Sequence, residues 1–134
     1  MANQMFPKGL EGFLAGDIDW DAHDIRCCLV RGYTFNSAHD FLNDVTGAGG
    51  TIVASSSAFT AKTVTNGVAD ADDVTFTAVA SGASIPALLI YKEGASDAAR
   101  RLIAYIDTGT GFPISPDGSD VVIQWDATNK IFTL

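Results

Sequence analysis

Four aspartates, Asp17, Asp19, Asp21 and Asp24, alternate with apolar residues in a way that begins a calcium-binding loop. An EF-hand loop needs glycine at its sixth position and a bidentate glutamate at its twelfth, because the chain must turn sharply and close around the ion. Those positions hold Ala22 and Cys28, so the motif fails and a solvated acidic edge is the expected reading. Asp70, Asp72 and Asp73 are read as turn residues for the same kind of reason. His23 and His39 are the two histidines, and neither has a Cys or His partner at metal-ligand spacing. Ser37, His39 and Asp40 lie too close along one expected helix to converge as a hydrolase triad. No Gly-x-Ser-x-Gly elbow occurs. Gly47-Ala48-Gly49-Gly50 lacks the Lys-Ser/Thr of a phosphate loop and precedes an expected strand rather than a helix. No catalytic residue, cofactor or metal site is expected.

Cys27 and Cys28 are adjacent on an expected strand, so their side chains should point to opposite faces. A disulfide between neighbours is strained. They are read as buried free thiols of a chain made in a reducing cytoplasm.

The bulk composition narrows the classes further. A chain of 134 residues is expected to form one domain over residues 1–134, with 47% hydrophobic and 18% charged residues supporting a folded core. Eight basic against 16 acidic residues give a formal charge of −8, which repels phosphate backbones and anionic bilayers. Neither nucleic acid nor membrane is an expected partner. The N-terminus shows no basic region followed by an apolar one, so no secretory signal is expected, and no apolar run approaches a bilayer span. So few charges on a chain of this size suggest that part of its surface is covered by further copies or by a partner.

The elements that must position these residues are mainly strands. Ala87–Tyr91, Leu102–Ile106, Val121–Trp125 and Ile131–Leu134 are short runs rich in β-branched and aromatic residues, each bounded by Gly, Pro, Asp or Asn. Strands are also expected at Ile25–Val30, Thr51–Ala54, Phe59–Val64 and Val74–Ala78. Val68 is read as the start of a connection, and Asp126–Asn129 as the close of a final hairpin. Pro7 at the start, Gly16 at the stop and Phe6, Leu10, Phe13 and Leu14 at helical spacing predict a helix over Phe6–Ala15. A second is predicted over Asn36–Val45, where Ser37 and Asp40 make a loose capping pattern. The expected fold is mainly β: an antiparallel sandwich or barrel of about seven or eight strands, with the two short helices over an edge or open end.

The opening Met1–Leu10 and the stretch Phe13–Trp20 resemble a family of small tailed-bacteriophage proteins. Leu89-Ile90-Tyr91-Lys92, Leu102–Asp107, Trp125-Asp126 and Asn129–Phe132 are similar to the same group, so the resemblance spans nearly the whole chain. Arg100 and Arg101 depart from it, standing where a more neutral hairpin loop is expected. The resemblance implies a non-enzymatic virion protein, first of all a head decoration (cement) protein. It would act as a homo-oligomer, such as a trimer, bound to the major capsid protein, in the virion and, during assembly, in the host cytoplasm. The alternatives are a neck, tail or fibre component, or a small module binding host carbohydrate through Tyr33, Phe35 or Phe112. Under the decoration reading, the segment Ala2–Lys8 is expected to order on a neighbour. The candidate partner contacts are Met5, Phe6 and Lys8 there, with Arg100, Arg101 and Phe112 in two later loops.

Overall fold

The computed structural model describes residues 4–107, 112–125 and 130–133. In chain order it holds β1 (Gln4–Met5), α1 (Pro7–Ala15), β2 (Ile25–Arg31), α2 (Leu42–Gly47), β3 (Thr51–Ser55), β4 (Thr63–Thr65) and β5 (Val68–Asp70). There follow β6 (Val74–Phe76), β7 (Ala87–Lys92), a 3-10 turn at Asp97–Ala99, β8 (Arg101–Ile106), β9 (Val121–Ile123) and β10 (Phe132–Thr133). All pairings between these strands are antiparallel, in a five-stranded sheet β1-β8-β7-β2-β3, a three-stranded sheet β10-β5-β4 and the pair β6-β9. The mainly β expectation holds, and the form is sandwich-like rather than a closed barrel. Among the described residues, ten short strands stand in place of seven or eight.

The central strands β2, β7 and β8 are apolar without alternation because both faces of their sheet are covered. Cys27, Leu29, Leu88, Ile90, Ala104 and Ile106 face one cluster, into which the smaller sheets bring Ala69, Val74, Phe76, Ile123 and Phe132. Cys28, Val30, Leu89, Tyr91, Leu102 and Tyr105 face the other, closed by Phe6, Tyr33, Leu42 and Val45. The adjacent cysteines thus point to opposite faces, both free and buried. Ladder partners run from Ile90↔Ala104 to Tyr91↔Leu102, so Ile103 is an extra residue, a β-bulge. One step beyond the β1 pairing Met5↔Ala104, the Ile103 carbonyl accepts from the Phe6 N–H at 2.9 Å.

α1 starts at Pro7, where no N–H is needed, and stops at Gly16, whose φ of +82° suits glycine alone. It packs against β8 through Gly9. A Cβ there would stand 2.7 Å from the Leu102 carbonyl oxygen and 2.8 Å from the Ile103 Cα, so any side chain would push the helix off the sheet.

Several sequence expectations are corrected. The second helix covers Leu42–Gly47, not Asn36–Val45, and buries Leu42 and Val45 in the second cluster. Asn36 instead accepts the Ala38 N–H in a local turn, and Phe41 is extended, bridged to Arg101. The helix is capped by Asp44, whose carboxylate accepts from the N–H groups of Asp40 (2.9 Å) and Phe41 (3.1 Å). Phe59–Lys62 is not strand, and Ala61 sits at φ +50°. Val68 belongs to β5. It pairs with Thr65 across a two-residue Asn66-Gly67 turn with φ of +52° and +79°. Val121–Trp125 and Ile131–Leu134 do not form a hairpin with each other, because β9 pairs with β6 and β10 with β5. The Asp126–Asn129 turn and the end of the last run, Leu134, lie outside the described residues.

Two stability outcomes follow from these contacts. Phe6 is 0% exposed, so Phe6→Ala is expected to cost about 3–5 kcal/mol in denaturant unfolding. Asp44→Ala is expected to cost about 1 kcal/mol. The two backbone N–H donors, of Asp40 and then Phe41, hold the Asp44 carboxyl below its ordinary value. That contribution is therefore complete above the unfolded carboxylate pKa and lost as pH falls through the depressed folded one. The gap between wild type and Asp44→Ala should close in unfolding curves recorded below about pH 4.

Candidate functional site

The residues that sequence reasoning marked for chemistry are engaged in structural bonds. His23 Nδ1 accepts the Asp19 N–H at 2.8 Å, and Asp19 Oδ1 accepts the Ala22 N–H at 3.3 Å, so the acidic stretch is a tight turn. His39 Nδ1 lies 2.8 Å from the Tyr33 hydroxyl with the two rings stacked. Among the described residues no group of three or more His, Cys, Asp or Glu is placed to hold a metal ion. Burial pushes the Cys27 thiol up to about 12, and burial together with Cys27 raises Cys28 as well. Neither can supply thiolate near neutral pH.

The candidate partner contacts differ in burial and in what they touch. Met5 pairs with Ala104 and is half-buried, while Phe6 lies inside the chain's own core, its ring 4.8 Å from Phe35. The segment expected to order on a neighbour is, from Gln4 onward, an edge strand and the entry to α1. Removing it would strip the core. Lys8 pairs with Glu11 at 3.0 Å on the surface, an arrangement of small energetic weight. The Arg101 guanidinium sits 5.2 Å from the Phe41 ring centre and donates to the Lys8 carbonyl. Phe112 is half-buried against the main core.

Arg100 belongs to a charge network. Its guanidinium bonds Glu93 and lies 2.5 Å from Asp97, while Arg26 spans Asp24 at 2.9 Å and Glu93 at 3.4 Å. Hydrogen bonds that Arg100 donates to Glu93 and then to Asp97 raise its pKa. Partial desolvation works against Glu93 ionisation, but Arg100 and the Gly94 N–H outweigh it and hold that carboxyl low. The network ties the 93–100 loop to β2, which is the structural reading of the paired arginines.

The concave feature that sequence reasoning missed is a groove of about 370 Å³ between the end of α1 and the β4–β5–β10 sheet. Its floor is one cross-strand row, Val64–Ala69–Phe132, fixed by the registers Val64↔Ala69 and Ala69↔Phe132. Phe13 and Trp20 line it beside Phe132, with ring centres 5.8 and 5.1 Å from that ring. The Trp20 indole N–H donates to the Asp70 carbonyl, so the ring is held and its polar atom satisfied. Asp19 and Asp21, both exposed, stand at the rim. A hydrogen bond between their carboxyls lowers Asp19 and raises Asp21. Such a site offers apolar surface and negative charge, with no Ser, Cys or His among its described lining residues. Nothing in the residue types announces it, since it depends on strands that pair across 60 residues of sequence.

The buried thiols should be silent toward an aromatic disulfide reagent at pH 8 in the native protein and both react once guanidinium unfolds it. Rapid native labelling would mean that β2 opens far more readily than its burial implies.

No protein-family model matches the chain, and no curated protein matches it.

Proposed function

We propose that the chain is a non-enzymatic structural protein of a tailed-phage particle, placed first as a head decoration protein that binds the assembled capsid lattice as a homo-oligomer. The observation that carries this reading is the character of the exposed surface. Strands β3 and β4 each end a sheet, and Thr51–Ser55 and Thr63–Thr65 carry no charge along those edges. Leu14, Val64 and Val122 are 89%, 55% and 52% exposed. Open edges and scattered apolar side chains suit contact with other protein. The stretches that resemble small phage proteins include β7 and β8, at the centre of the sandwich.

The mechanism is mass action. A protein that binds the assembled lattice and not the free subunits shifts the balance toward the lattice, and several weak contacts from one oligomer add through avidity. Neck, tail or fibre placement uses the same surfaces and differs in copy number. The carbohydrate reading is less well supported, because Tyr33 is 6% exposed and Phe35 and Phe112 are half-buried, leaving no aromatic platform of those three.

Quantitative mass spectrometry of purified particles is the test. A ratio to the major capsid protein that is a large fixed fraction is expected. A few copies per particle would move the chain to the neck, tail or fibre, and absence from clean particles would end the structural reading.

A further inference from the structure

We propose that the groove beside α1 docks a lysine or arginine side chain presented by an extended segment of a partner protein. Three separate features each select part of that ligand. The floor and the half-buried Phe13 ring offer apolar surface for an aliphatic stem. Ala69, between the larger Val64 and Phe132, leaves the depression in the row. At about 370 Å³ the space is at the small end for ligand sites, roughly 300–1,000 Å³, so it suits one long side chain rather than a large cofactor.

The rim selects the charge. Asp19 and Asp21 are both exposed and both line the groove, so a cation that enters it meets two carboxylates. Lys62 is close enough to lower Asp21, yet its ammonium donates to the His23 carbonyl. The His23 ring is turned to the Asp19 N–H. The net charge of −8 draws a basic partner from further away.

The edge selects a polypeptide over a free amine. Val64 belongs both to the groove floor and to β4, whose outer side has no strand partner among the described residues. An extended segment can add to that edge through its backbone while one side chain enters the groove.

The test uses the full chain, isotopically labelled, titrated with a blocked tripeptide carrying lysine between two valines. Amide signals of Asp19, Trp20, Asp21, Val64 and Gly67 are expected to shift. Binding should be about tenfold tighter than for the same peptide with glutamine in place of lysine. Asp19→Asn with Asp21→Asn should remove that advantage. The double variant should keep its fold, because both positions are exposed and the amide that replaces the Asp19 carboxylate keeps an oxygen for the Ala22 N–H. Equal affinity for the two peptides, shifts centred elsewhere, or an unchanged double variant would overturn the proposal. So would n-butylammonium binding as tightly as the peptide, since that marks a site for free amines. Because the isolated chain is measured, the result stands apart from particle composition, which tests the virion reading.

Discussion

The ladder formed by β2, β7 and β8 is the constraint on which the rest of the molecule depends. Its side chains are apolar on both faces, so neither face can be left to water. Burying a side chain of this size is worth about 1.5–3 kcal/mol relative to exposure, and Leu29, Leu88, Leu89, Ile90, Leu102 and Ile103 are all fully buried. One cover alone would leave the other face wet. That requirement explains why a short chain divides its remaining strands into small sheets on one side and sends α2, Tyr33 and Phe6 to the other. It also explains the adjacent cysteines, small hydrophobes that serve one cluster each.

The same constraint decides what can be read from sequence. Ala87–Tyr91 and Leu102–Ile106 stand out because strands buried on both faces are continuous apolar runs, and β7 and β8 match them closely. The helix Phe6–Ala15 is equally plain, since Pro7 and Gly16 punctuate it. The second helix misleads because Asn36 and Ser37 look like cap residues while the capping group is Asp44. Thr63–Asp70 did carry a local signal, the Asn66-Gly67 pair that supplies both positive φ angles of the turn. Reading Phe59–Val64 as strand placed that signal outside the element it defines. Pairings such as β10 with β5 leave no local trace at all. The groove is invisible for that reason: Ala69 becomes a depression only when Val64 and Phe132 are set beside it.

Electrostatics follow a similar division. Most of the basic side chains are occupied within the chain: Arg26 and Arg100 with Asp24, Glu93 and Asp97; Lys8 with Glu11; and Lys62 and Lys92 with backbone carbonyls. Their partners are mostly at the ends of the long strands, where loops need holding. The surplus acid is left on turns such as 17–24. A partner therefore meets fixed cations and a negative surround, which favours basic ligands by attraction at long range.

The edges β3 and β4 differ in how far they invite pairing. In β3 the partners run from Leu29↔Ala54 to Val30↔Ile52, so Val53 is a bulge that twists the edge and interrupts its ladder. Its middle residues are also half-buried, shaded by their own neighbours. β4 has unbroken register with β5, and all three of its residues are exposed. A bulged edge resists another strand, while a short regular one accepts a segment no longer than itself. Three residues of backbone pairing are a weak contact alone. Beside a groove that takes one side chain and a rim that takes its charge, they can position a ligand without offering an edge long enough for aggregation.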